Sequence, residues 1–322
     1  MRKILKYLVI SLSVLIVSSC SGKIKKNTNT NGLASIVCDE SFENIMNQEI
    51  NVFEYIYPEA NIIPFYTNER AAIDSLMQFK TKTIIVSREL TQQERNYLKS
   101  KKRNARTQKI AVDAIALIVN PKNPIDRLSI EEIREILSGE VTDWNELSPN
   151  KTGKITVVFD HDGSSTVNYM RDSLLNGGLF GPNVFAQNSN DEVFEAVQKI
   201  KGAIGILGVS WISADMRNAE ISTEHRVAQL EKNDTTISAF DTRVKVLKVR
   251  RNDDIKAYLP YQAYIYDGSY PLYRSMYMTT TAVNGTLGHG FYSFVTSFRG
   301  QKIIQMTGIL PATVQPRMVS LN

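Results

Sequence analysis

The feature that most restricts this chain is its rhythm. From Leu33 onward, apolar runs of about four to ten residues alternate with stretches whose apolar residues recur at helical spacing. The spacing predicts strands over Ser35–Cys38, Asn61–Phe65, Thr83–Val86, Ile110–Val119, Ile155–Phe159, Ala203–Leu207, Val244–Val249 and Tyr273–Thr279. Between them, Phe42, Ile45, Met46, Ile50 and Phe53 keep a helical period broken by Glu49, Ala71 to Phe79 keeps it again, and a further helix is expected over Phe291–Met306. Thr91 with Glu94, Ser129 with Glu132 and Ser189 with Glu192 are spaced as capping boxes, in which hydroxyl and carboxylate satisfy orphan amides at a helix start. The helix from Ile130 should stop at Gly139. Strand, helix, strand, helix is the pattern of an α/β fold with mainly parallel sheets and crossover helices. A length of 322 residues suits two lobes of about 100–150 residues each. With 43% hydrophobic and 22% charged residues, the whole chain is neither disordered nor polytopic in a membrane. The most polar stretch of the body, Ser213 to Thr242, reads as a solvated insertion, and no internal repeat is visible.

The N-terminus departs from that rhythm. A basic start at Arg2, Lys3 and Lys6 precedes an almost wholly apolar Tyr7 to Val17, too short for a comfortable transmembrane helix and ended by small residues. Residues 1–19 are therefore expected to be an export signal. Val17-Ser18-Ser19-Cys20 matches a bacterial lipobox, which makes Cys20 the expected lipid-modified N-terminus of the mature chain on the extracytoplasmic face of a membrane. Residues 20–32 read as a solvated tether. Removing Arg2, Lys3 and Lys6 leaves 35 basic against 33 acidic residues, and setting aside Lys23, Lys25 and Lys26 leaves 32 against 33. The formal +5 thus belongs to export and anchoring, and the folded body carries no nucleic-acid signature. Cys38 has no partner for a disulfide in the body and lies in an apolar run, as a buried structural thiol does.

Parallel sheets place ligands beyond the carboxyl ends of their strands, where helix N-termini aim amides into a crevice. The segments at those ends are Asp39-Glu40-Ser41-Phe42, Asn68-Glu69-Arg70, Ser87-Arg88 and Asp160-His161-Asp162-Gly163-Ser164-Ser165-Thr166. Each is also what an ordinary helix cap would look like.

Several segments in their order resemble the phosphate-binding (PstS-like) subfamily of type II periplasmic binding proteins. They are Ile110 to Pro121 with Asn123-Pro124, Leu128 to Gly139 with Trp144, the Asp162 to Thr166 loop, Gly202-Ala203-Ile204-Gly205, Tyr270-Pro271-Leu272, and Gly300 to Ile304 with Gly308 and Pro311. The likeness covers roughly Ile36 to Pro311. It implies two lobes, residues 33–112 with 274–322 and residues 113–273, joined by two hinge crossings near Asp113 and Arg274 that close over a ligand. It further implies a ligand site made by four loops, here Ser41 and Phe42; Glu69 and Arg70; Ser87 and Arg88; and Asp160, Ser164, Ser165 and Thr166. Where the family has an Asp this chain has Arg88, and where the family has its anchoring Arg this chain has Asp160. An unpaired carboxylate against a buried dianion would cost several kcal/mol, on the order of what abolishes binding, so Arg88 or Arg70 is expected to compensate.

Other constellations carry less. Asp160, His161, Asp162 and Ser164 contain the side chains of a hydrolase triad, but neighbours on one turn seldom meet in relay geometry. His161, His225 and His289 lack metal-ligand spacing, so neither metal nor cofactor is expected. Gly285 to Gly290 fits neither nucleotide pattern and reads as a helix entry. Tyr258, Tyr261, Tyr264, Tyr266, Tyr270, Tyr273 and Tyr277 crowd one stretch, as a packed lobe surface or a docking face would. The expected function is a non-catalytic, lipid-anchored solute-binding protein that captures phosphate or a related oxyanion for an ABC permease. The alternative is the same fold used as a sensor or scaffold for another envelope complex, with a different ligand.

Overall fold

The computed structural model describes residues 27–148, 152–217, 222–230 and 239–313. The expected signal over 1–19 and Cys20 lie outside the described residues. Strand β1 (Gly32–Asp39) pairs in parallel with β2 (Ala60–Thr67) and β3 (Thr83–Val86), and helices α1 (Glu43–Ile56), α2 (Glu69–Met77) and α3 (Gln92–Ser100) make the connections. Then come β4 (Arg106–Val119), β5 (Arg127–Ser129), α4 (Ile130–Ser138), α5 (Trp144–Leu147), β6 (Thr156–Phe159), α6 (Ser165–Leu174), β7 (Val184–Ala186), α7 (Asn190–Lys199) and β8 (Ala203–Gly208). The chain closes with α8 (Ala214–Arg217), α9 (Thr223–Gln229), β9 (Lys245–Val246), β10 (Lys248–Arg250), α10 (Gln262–Tyr266), β11 (Tyr273–Thr280), α11 (Leu287–Val295), α12 (Phe298–Met306) and β12 (Leu310–Pro311).

One curled sheet carries both halves, in the order β2-β1-β3-β11-β4-β8-β6-β7, with β9 and β12 also on β4. The flanking strands of each half pair in parallel; the strands that cross between halves pair antiparallel. β4 is shared. Its first part, Arg106 to Ala114, runs beside β11, and Ile115 to Val119 runs beside β8. Asp113 and Arg274 lie directly opposite each other in that register, so the two expected crossings meet at one point. The arrangement is a two-lobed α/β fold of the type II periplasmic binding protein kind.

The strong local signals behave as their chemistry requires. Thr91 with Glu94 and Ser129 with Glu132 form complete capping boxes, and Gly139 ends α4 in the left-handed region at φ 80°. Ser189 caps α7 by one bond only, because the Glu192 carboxylate accepts from Asn188 instead of Ser189. Cys38 is fully buried, and burial above all, with Asp39 and Glu43 nearby, pushes its thiol up. Trp144 is buried with its indole donating to the Gly202 carbonyl at 3.0 Å, and the Phe53 ring meets the Phe291 and Phe294 rings edge-on at 5.3 and 5.1 Å.

Four expectations are corrected. The strand over Val244–Val249 is two, since β9 joins β4 while β10 joins β5, with Leu247 buried between them. The helix over Phe291–Met306 is α11 and α12, broken at Thr296 and Ser297. The tether does not reach residue 32: Asn27 accepts from the Leu287 amide, Asn31 donates to Glu59, and Gly32 already belongs to β1. Within the polar stretch from Ser213 to Thr242, α9 packs on α1, and Arg226 and Leu230 are buried, so its described part is no solvated insertion.

Gly205 in β8 lies where a Cβ would come within 2.8 Å of Val197 Cγ2 and 2.9 Å of Ile118 Cγ1 and Val193 Cγ1. Gly205→Ala is expected to lower unfolding stability by about 1–3 kcal/mol through overpacking, read as a lower urea midpoint with an unchanged slope.

Candidate functional site

The first and fourth loops meet where the lobes face each other. Asp39 ends β1 and caps a short 3-10 turn, Glu40–Phe42, by accepting from the Ser41 amide at 2.9 Å. Across the junction, Ser164 caps α6 by accepting from the Val167 amide at 3.1 Å and donates its own hydroxyl to Asp160 at 2.6 Å. The bonds between lobes are reciprocal. Ser41 donates to Asp160 at 3.2 Å, and Ser165 donates to Asp39 at 2.9 Å. Thr166 reaches the Ser41 hydroxyl at 3.4 Å, and Trp211 donates to the Ser41 carbonyl at 3.0 Å. Asp39, Ser41, Phe42, Asp160, Ser164, Ser165 and Thr166 are all buried. The structure thus brings together six of the ten residues singled out in the sequence.

The cation that compensates this acidic cluster is Arg274, in place of Arg88 or Arg70. Its guanidinium, almost fully buried, pairs with Asp113 at 3.2 Å, donates to the Ser165 hydroxyl and lies 4.6 Å over the Phe42 ring. Arg88 is instead forked onto Glu94, at 2.8 and 2.9 Å, and Arg70 is exposed. The reason is local: Glu94 already turns toward the start of α3 to cap it, and a planar guanidinium takes both of its oxygens. Sequence reasoning placed Asp39 in the first loop and Arg274 at a hinge crossing, and missed Arg274 as the cation of the site. A signal existed, since Arg274, Met276 and Met278 share one face of β11 and the two methionines mark it as buried.

Three of the remaining four predicted residues, all but Arg70, line a cavity of about 560 Å³ beside this cluster. Glu69, Ser87 and Arg88 contribute from one lobe, Ser165 and Tyr169 from the other, and Arg274 from the crossing strand. Glu69 accepts from both the amide and the hydroxyl of Ser87. A larger groove, about 1280 Å³, lies elsewhere and takes in Tyr258, Tyr261 and Tyr264. His161 meets Glu40 across the lobes and lies 3.7 Å from Asp160. Ser164 bonds Asp160 and Asp162 is exposed, so the four residues do not form a hydrolytic relay. Among the described residues no cluster suits a metal ion and no helix is long and apolar enough to cross a membrane.

Chemically, the cluster and the cavity differ. In the cluster every serine hydroxyl is spent on a carboxylate, while Asp39 Oδ2 and Asp113 Oδ1 remain as buried acceptors. The cavity is lined by two guanidinium groups, Arg88 and Arg274, with Ser173 and Ser275 beside them, and by three carboxylates, Glu69, Glu89 and Asp172. Burial pushes the Asp39 carboxyl above its usual range, with Arg274 and the hydroxyls of Ser165 and Ser41 opposing. Burial pushes Asp113 up to about 6, again opposed by Arg274.

A family model for the PBP superfamily domain matches residues 25–299. Among curated proteins, the phosphate-binding protein PstS of Pseudomonas aeruginosa is 23% identical over 303 residues, covering 89% of this chain and 85% of that one. Among solved structures, a phosphate ABC transporter substrate-binding protein from Clostridium perfringens, with bound phosphate, superposes with a TM-score of 0.68 at 22% identity, covering 88% of this chain and 100% of that one. An ABC-type phosphate transport receptor from Vibrio cholerae gives 0.62 at 19% identity, over 87% and 100%.

Because the folded state favours protonated Asp113, its contribution is greatest below its ordinary value of 3.8 and is lost as pH rises through about 6. Asp113→Asn should flatten the decline in urea midpoint over that window. Arg274→Met should cost about 3–5 kcal/mol, as breaking a buried pair does, and should steepen the decline.

Proposed function

The chain belongs to the PBP superfamily, and from that premise we propose that it is an extracytoplasmic solute-binding protein that captures a small oxyanion, phosphate foremost, for an ABC permease. The two lobes are residues 33–112 with 274–322 and residues 113–273, and Cys20 carries the lipid that holds the chain on its membrane. The observation that supports this reading is the convergence of Arg88, Arg274, Ser87 and Ser165 on one inter-lobe cavity. These groups come from both lobes and from the strand between them, so a tetrahedral anion bound there would bridge the halves.

The charge exchange relocates the ligand. Asp160 and Asp39 take the hydroxyls of the first and fourth loops, so the anion sits beside them, against the outer edge of Arg274. Glu69 faces the same cavity, and a carboxylate can only accept. A ligand that keeps a proton, such as phosphate or arsenate, can donate to it; sulfate cannot. That makes Glu69 the discriminating group.

A second reading draws support from the direct bonds between lobes, Ser41 to Asp160 and Ser165 to Asp39, which tie the halves without any further group. It is a binding-protein fold serving as sensor or scaffold for another envelope complex.

Calorimetric titration of the folded protein separates the two. Import predicts binding of phosphate and arsenate, with sulfate at least about a hundredfold weaker because it leaves the carboxylate facing lone pairs. Arg88→Met should weaken phosphate binding by about ten- to a hundredfold, the loss of one charge-assisted contact, and Glu69→Gln should narrow the preference over sulfate. No heat with any of the three anions would leave the scaffold reading.

A further inference from the structure

The two halves of the first lobe's crossover connections leave one pole very unevenly charged. β1, β3 and β4 all start there, and β11 ends there, so it is the end of the sheet farthest from Asp39, Ser87 and Arg274. Contacts close the pole: Lys82 accepts from the Thr281 amide at 2.7 Å, and Arg106 donates to the Ala282 carbonyl at 2.6 Å. The segments that arrive there from α2 and α3 carry Lys80, Lys82, Lys99, Lys101, Lys102 and Arg103. None of the six has a carboxylate at ion-pair distance among the described residues. Near this pole, Glu59 is engaged by Asn31 and Glu54 by the Ile62 amide. One or two cations after a helix are ordinary, since they complement its dipole. Six from two helices exceed that need.

Aromatic rings sit among the cations. Phe79 and Tyr97 stack at 6.1 Å with an interplanar angle of 12°, yet they stay 40% and 43% exposed. Lys101 lies 5.7 Å over Tyr97 and Arg103 lies 5.5 Å over Phe79. Phe79 and Lys102 both follow a helix end in the left-handed region, at φ 60° and 57°, where glycine is the favoured residue. A large apolar ring and a charge are kept where the backbone asks for neither.

The chain also enters the fold at this pole. Asn27 and Asn29 touch the start of α11, just beyond the end of β11. Cys20 stands seven positions before Asn27, a reach of at most about 25 Å, and Lys23, Lys25 and Lys26 fall between them.

We propose that this pole is a membrane-contact surface that binds anionic phospholipid headgroups, with the Phe79 and Tyr97 rings at the interface and the cleft turned toward the aqueous phase. Basic clusters attract an anionic leaflet, and aromatic rings settle at headgroup level. The surface has no need of the lipid on Cys20 for its recognition, so it can be tested without it and independently of any ligand in the cleft.

The chain from Ser21 onward keeps every described residue. Flotation with vesicles of phosphatidylcholine containing phosphatidylglycerol should carry it upward at low salt, and vesicles of phosphatidylcholine alone should not. Reversing three charges together, Lys101→Glu, Lys102→Glu and Arg103→Glu, should lower partitioning by more than about a hundredfold. High salt should release the wild-type chain. Phe79→Ala with Tyr97→Ala should weaken partitioning and leave its salt dependence in place. Circular dichroism and unchanged anion titration would show the variants folded. No flotation on the anionic vesicles, or flotation that the charge reversal leaves unchanged, would overturn the proposal.

Discussion

The ion pair between Asp113 and Arg274 is the constraint around which the site is organised. The two residues lie opposite each other on antiparallel strands at the one place where the sheet passes from half to half. Taking both charges out of water is costly, and the pair recovers that cost only if its remaining donors and acceptors are used. Arg274 uses part of that capacity by reaching Ser165 on the far lobe and covering Phe42 on the near one, while its Nε and Asp113 Oδ1 are buried without a hydrogen-bond partner. A single guanidinium therefore holds the crossing strands, the start of α6 and the first loop in one arrangement. Gly208 completes the fit, because a Cβ there would fall 2.6 Å from Asp113 Oδ2.

Around that pair stand two more buried carboxylates. Asp160 accepts two serine hydroxyls from opposite lobes. Asp39 is answered in the same way by Ser165 and the Ser41 amide. The consequence is a division of labour. Buried carboxylates and hydroxyls join the lobes at the back of the cleft, and the guanidinium groups of Arg88 and Arg274 line the cavity in front.

Much of the fold was legible because its signals are local. The β3 boundaries follow from one apolar run, and the caps at Thr91 and Ser129 follow from residue types three apart. What escaped depended on distant partners. Arg274 pairs across 161 positions, and nothing near it in the chain announces Asp113. Arg88 looked available because its engagement with Glu94 spends a carboxylate already credited to a helix cap. The break between α11 and α12 was hidden by continuous apolar spacing. It shows in Gly300, which packs where a Cβ would meet the Phe294 and Val295 carbonyls at 2.5 Å. Very short strands such as β5, β7 and β12 carry too few residues for any period to be read.

The shared strand β4 has a further consequence, for how the molecule comes apart. Its first nine residues complete one half of the sheet and its last five complete the other, without a break in the chain between them. On the junction side, neither half is complete without β4. Pulling one half open strips a central strand from the other, so the lobes share one cooperative transition and do not melt as separate units. A strand that must serve two halves also has to be in place before either is complete, which ties the order of assembly to residues 106–119.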